Sequence, residues 1–153
     1  MRRIIIATLV MVLGLVVFGN ASLTFAASRP YKDVTTKTID KASIKSIRYV
    51  KKAGGFKGVI KGKKFYPNKK MTRRQYLMVL DNLYPGKVEV TTNDLKKANK
   101  SVTEKYVTSK MVKVAKNFGM TITWEGGKKK LSRASVANYI KSFAEFDSAF
   151  AIK

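Results

Sequence analysis

The sequence predicts a mainly α-helical protein in which two helix-turn-helix units pack as one pseudo-symmetric domain. Three observations predict it. Four segments carry apolar residues at three- and four-residue steps, the spacing that gives a helix one buried stripe. Those segments fall into two sets with the same order of parts, helix, glycine turn, basic stretch and helix, and an internal repeat governs the architecture before local signals do. The repeated part of each unit, residues 39–83 and 102–143, spans only about 40 to 45 residues, near the size below which a lone domain needs a disulfide, a metal or a partner. The chain has no Cys and no His, so the two units must bury their stripes against each other.

The elements follow in order. Met1-Arg2-Arg3 precedes an uncharged, apolar run over residues 4–18, and small residues lead to Thr24-Phe25-Ala26. A positive start, an apolar centre and a small-x-Ala ending are the parts of a secretory signal, placing cleavage after Ala26 and making residues 1–26 the signal. An uncleaved anchor is the alternative, although the run is shorter than the roughly 20 residues a spanning helix uses. Both readings put the remainder outside the cell, because Arg2 and Arg3 hold the N-terminus in the cytoplasm. Of the formal charge of +23, only Arg2 and Arg3 leave with the signal, so the charge belongs to the exported protein.

The first unit, residues 27–86, opens with a helix carrying Ile44, Ile47 and Val50. Gly54-Gly55 stops it, where a left-handed residue is needed. A basic turn leads to Thr72, an N-cap hydroxyl that accepts from amides two or three residues on, and then to the stripe Leu77, Leu80, Leu83. Tyr84-Pro85-Gly86 ends the unit. A linker, residues 87–100, contains a short candidate strand over 87–91. The second unit and tail, residues 101–153, repeat the order: Val107, Met111, Val114 and Phe118, then Gly119, a basic turn, Ser132 as N-cap, and Val136, Ile140, Phe143. Thr72 and Ser132 are 60 positions apart, Ile47 and Met111 are 64 apart, and the shorter second connector accounts for the difference. Leu80 and Ile140 therefore match as core positions, with Val50 and Val114 facing them. The tail from Ala144 either extends the last helix or packs back on the pair.

Composition narrows the chemistry. Without Cys or His, thiol nucleophiles, Cys-based zinc sites and the commonest general base are excluded. No carboxylate pair stands in a recognisable catalytic setting, and no enzyme activity or cofactor is expected. Arg73 and Arg133 repeat at the same position of each unit, just inside an N-cap. A guanidinium there offers a planar fork to phosphate or carboxylate, and the helix dipole adds to the attraction. The plainer reading makes each a solvated first-turn residue or a partner of a carboxylate such as Asp33. Lys69, Lys70 and Arg74 in one unit and the run Lys128-Lys129-Lys130 in the other surround the same turn, which predicts one shared basic face. Trp124, the single Trp, either presents a platform to a sugar ring or lies in the core. Asp33 and Asp40 are expected as helix caps, and Tyr66 as a packing residue.

These residues resemble a family. Tyr31-Lys32-Asp33-Val34, a first helix, a Gly turn, Phe65-Tyr66-Pro67-Asn68 and Met71-Thr72-Arg73 look like the S-layer homology module, which opens with Phe-x-Asp-Val, continues through Gly-Ile and Phe-x-Pro, and closes with Ile-Thr-Arg-Ala-Glu. The second copy keeps Gly119 and Leu131-Ser132-Arg133-Ala134 but lacks the Phe-x-Pro step. The motif Glu is Gln75 in one copy and Ser135 in the other. The resemblance covers roughly residues 31–143. It implies a non-enzymatic protein, secreted and held at a Gram-positive cell wall by an anionic secondary wall polymer, teichoic-acid-like or an acidic polysaccharide, with Arg73 and Arg133 on the ligand. The family commonly sets three repeats about a pseudo-threefold axis, and two are visible here; a degenerate third unit, a homo-oligomer and a two-unit form all stay open. The competing function is looser binding of extracellular polyanions, nucleic acid or an anionic membrane, although no specific nucleic acid is expected.

Overall fold

The computed structural model describes residues 29–152; the signal and its cleavage after Ala26 lie outside the described residues. The protein is mainly helical, with α1 at Lys41–Lys52, α2 at Arg73–Leu83, α3 at Thr92–Lys96, α4 at Glu104–Asn117, α5 at Arg133–Phe146 and a 3-10 turn at Ser148–Phe150. No helix among the described residues is long and apolar enough to cross a membrane.

Each helix begins where side-chain chemistry allows. Asp40 caps α1, accepting from the Ser43 amide at 2.8 Å and the Ser43 hydroxyl at 2.7 Å. Thr72, Thr103 and Ser132 cap α2, α4 and α5 in turn, and Thr72 forms a reciprocal capping box with Gln75. Gln75 thus does the capping work of the motif Glu with a neutral amide. Glycine ends α1 and α4: Gly54 and Gly119 have φ of +79° and +80°, a region closed to most side chains.

The apolar stripes meet in one core. Val50, Leu80, Val114 and Ile140 are each at most 1% exposed and belong to a single cluster with Met71, Val102 and Leu131. α1 packs chiefly on α5, pinned by the Asn138 amide donating to Ser43 Oγ at 2.9 Å. Tyr76 of α2 donates its buried hydroxyl to the Val107 carbonyl of α4 at 2.9 Å. The tail does both things expected of it: α5 continues to Phe146, then Phe150 turns back into the core against Phe143, ring centroids 4.4 Å apart.

The expected strand over 87–91 does not form, and there is no strand among the described residues. The Glu89 carbonyl accepts from Lys110 Nζ at 2.8 Å instead of a neighbouring strand, and Thr91 goes on to cap α3. Three isolated antiparallel bridges stand in for a sheet, linking Lys70 with Ser132, Thr72 with Ser101, and Thr103 with Lys130. They mark a closed junction. The Val102 amide donates to Met71 O at 2.9 Å, the Leu131 amide to Val102 O at 3.0 Å, and the Met71 amide to Leu131 O at 3.3 Å. These three buried residues precede the caps of α2, α4 and α5, so three chain segments enter three helices by the same turn.

Candidate functional site: a basic junction of three helix starts

The junction dictates where the candidate residues lie. At the first position of each helix, Arg73 N donates to Lys100 O at 2.9 Å, Glu104 N to Lys129 O at 3.0 Å, and Arg133 N to Lys69 O at 2.9 Å. At the second, Arg74 N donates to Ala98 O at 3.0 Å, Lys105 N to Gly127 O at 2.9 Å, and Ala134 N to Pro67 O at 3.0 Å. The third amide of each helix goes to its cap hydroxyl, at 3.2–3.3 Å. Each helix start is thus laced to the segment before another.

The first three amides of α2, α4 and α5 are satisfied within the chain, so none is left to bind an anion directly. An anion at this face must be held by side chains. The lacing brings Lys69, Lys70, Arg74, Lys129 and their neighbours Lys128 and Lys130 to one region, all exposed. It adds Lys100 and Lys105, which lie outside the two arginine-bearing turns. The signal for Lys100 was present: Lys69-Lys70-Met71-Thr72-Arg73, Lys100-Ser101-Val102-Thr103-Glu104 and Lys129-Lys130-Leu131-Ser132-Arg133 share one pattern, and Lys105 follows it at the position of Arg74. A comparison anchored on the arginines passes over the middle copy, which carries Glu104.

The two motif arginines have different surroundings. Arg133 is 7% exposed and donates from Nη1 to the Phe65 carbonyl at 2.6 Å. Burial lowers its pKa, opposed by the charge of Asp33 and the phenols of Tyr31 and Tyr66. Asp33, expected as a helix cap, instead takes the Phe65 amide at 2.8 Å and the Tyr66 amide at 2.7 Å. The Tyr-x-Asp-Val, Phe-x-Pro and second Ser-Arg motifs are thereby clamped into one buried assembly, and Tyr66 leaves it with φ of +55° and its side chain 53% exposed.

Arg73 is half-buried, its guanidinium 4.3 Å above the Tyr106 ring. Its Nε, like that of Arg133, has no hydrogen-bond partner among the described residues. Asp94, which shares Tyr106 with it, is in no ion pair with it. Asp94 accepts from the Tyr106 hydroxyl at 2.7 Å, from Thr91 and from the buried Lys110. Burial works to raise the Asp94 pKa, but these hydrogen bonds hold its carboxyl well below the usual carboxylate range. Arg73 is thus stacked on an aromatic face that fixes the plane of its guanidinium, and no carboxylate pairs with it among the described residues.

The third position carries the opposite charge. Glu104 accepts from the Gly127 amide at 3.1 Å and lies against Tyr139, whose pKa is raised by burial and by this carboxylate. Trp124 stands beside it, half-buried, stacked on Tyr139 and Phe143 of α5 with centroids 5.7 and 6.2 Å away. Part of the indole packs on the core, as one of its two expected roles requires, and the rest borders a cleft. No protein-family model, curated protein or solved structure matches this chain.

Proposed function

We propose that this is a secreted, non-catalytic protein that associates with the cell wall by binding an anionic wall polysaccharide. The observation that carries the reading is the laced junction, which gathers exposed lysines from three segments around Arg73 on a chain of formal charge +23. A polymer with regularly spaced phosphate or carboxylate groups matches such a face, since many weak contacts add along its length. The three similar helix entries also support the likeness to S-layer homology modules, with Val102-Thr103-Glu104 supplying the third unit within one chain. On this reading two repeats resembling the family's module and one divergent unit form one pseudo-symmetric helical domain, and Arg73 rather than Arg133 contacts the ligand.

The test is sedimentation of the mature protein with purified Gram-positive walls, before and after chemical removal of their secondary polymers. Binding lost with the polymer supports the reading; binding unchanged by stripping rejects it. The looser polyanion reading draws on the flexible, exposed lysines, which recognise charge without shape. Salt separates the two, because binding through counterion release alone falls steeply between low and moderate salt, whereas a fork-and-ring contact leaves a salt-resistant component.

A further inference from the structure

Beside the basic rim, the turn over residues 124–126 faces the outer side of α4 across a cleft of about 350 Å³, lined by Lys105, Thr108, Ser109, Trp124, Glu125 and Gly126. That volume lies within the roughly 300–1,000 Å³ of small-ligand sites. Its lining is one aromatic surface with hydroxyl, ammonium and carboxylate groups around it. Lys105 and Glu125 are exposed, and neither is in an ion pair among the described residues. Thr108 is buried and donates to the Glu104 carbonyl at 3.1 Å, whereas the exposed Ser109 donates to the Tyr106 carbonyl at 3.5 Å, which leaves its oxygen as an acceptor.

The cleft is preformed. Tyr139 and Phe143, one helical turn apart on α5, lie within 24° and 14° of the indole plane and hold Trp124 from that side. The turn is tied to α4 by Lys105 N donating to Gly127 O and by Gly127 N donating to Glu104. At Gly126 the backbones approach so closely that a Cβ would lie 2.6 Å from the Glu104 carbonyl carbon. A rigid aromatic beside donors and acceptors of both kinds is what a sugar ring requires: its C–H face packs on the indole while its hydroxyls both donate and accept.

We propose that this cleft is a hexopyranose subsite, taking one ring of an anionic wall polysaccharide whose charged groups rest on the adjoining lysines. The proposal deepens the wall-polysaccharide reading and rests on it. The ring's hydroxyls donate to Glu125 and Ser109 and accept from Lys105. The neighbouring Glu104 takes no part in holding an anion, so the subsite reads the ring and the rim reads the charge.

Trp124 is the single Trp, so its fluorescence reports on this cleft without labelling. The mature chain is titrated with polysaccharide released from Gram-positive walls and, separately, with poly(glycerol phosphate), which is anionic but has no sugar ring. The expected result is that the polysaccharide shifts and changes Trp124 emission saturably, while poly(glycerol phosphate) binds the rim with the emission unmoved. Two surface variants sharpen the test. Glu125→Ala makes the protein more basic, so binding by charge alone should tighten, whereas loss of a hydroxyl acceptor should weaken the polysaccharide at least threefold. Ser109→Phe fills the cleft and should weaken it tenfold or more, leaving poly(glycerol phosphate) unaffected. Polysaccharide binding with silent Trp124 emission, or tighter binding by Glu125→Ala, overturns the subsite while leaving the polyanion reading intact. Binding of neither polymer overturns both.

Discussion

Two arginines at matching motif positions have different work because of what surrounds their forks. Arg133 donates to a buried carbonyl, in a pocket walled by Asp33 and two tyrosines; Arg73 lies over a single aromatic ring. Arg133→Gln leaves the Phe65 carbonyl without its donor, and an orphaned buried acceptor costs about 1–3 kcal/mol, which urea denaturation would read directly. Arg73→Gln removes a partly exposed cation–π contact worth about 0.5–1 kcal/mol, so its stability should change by less than that of Arg133→Gln. Its binding to walls should fall more than that of Arg74→Gln, an equal change of charge. Equal losses of binding for Arg73→Gln and Arg74→Gln would assign the interaction to charge alone.

The helices owe their starts to local chemistry and their mutual placement to the junction. Thr72, Thr103 and Ser132 each accept from the third helical amide at 3.2–3.3 Å, and removing a cap of this kind costs about 1 kcal/mol. Replacing each with Ala should therefore lower stability by similar amounts. Pairs of these changes should depart from additivity by more than about 0.5 kcal/mol, since all three caps border one hydrogen-bonded ring. Simple addition in chemical denaturation would mean that the ring does not couple the helices. Asp94 belongs at this scale too, because it joins the cap of α3 to Tyr106 and Lys110 of α4. Its pKa is lower in the folded protein than the usual value, so the unfolded chain takes up its proton first as pH falls. The stability it contributes is complete above about pH 4, the ordinary carboxylate range, and is lost as pH drops toward the lowered folded value. Asp94→Asn should lower stability at neutral pH and flatten its decline below pH 4; an unchanged acid slope would locate that decline elsewhere.

Across the molecule, one cluster joins all the long helices. Leu80 and Ile140 are both fully buried, and truncating either to Ala should cost about 2–5 kcal/mol, a large share of a small domain's stability. Calorimetry should show one cooperative transition for either variant, with both halves of the chain lost together. Two separate transitions would show independent modules and defeat the reading of a single pseudo-symmetric domain.

What the sequence determined by itself was local or summed along the chain. The apolar stripes of α1, α2, α4 and α5, their caps and the glycine stops each depend on residues within a turn or two, and net charge depends on no contact at all. In the sequence α4 pairs with α1, because both bear an apolar stripe followed by a glycine. The backbone instead gives α4 the same entry as α2 and α5. Only the tertiary structure decided this, since choosing Met71, Val102 and Leu131 as mutual partners involves segments about 30 to 60 residues apart, whose pairing no local propensity specifies. For the same reason Asp33 became a clamp on Phe65 and Tyr66 rather than a cap, and Arg133 became buried while Arg73 did not. A side chain's charge is written in the sequence; whether its hydrogen bonds are already satisfied depends on which distant backbone folds against it.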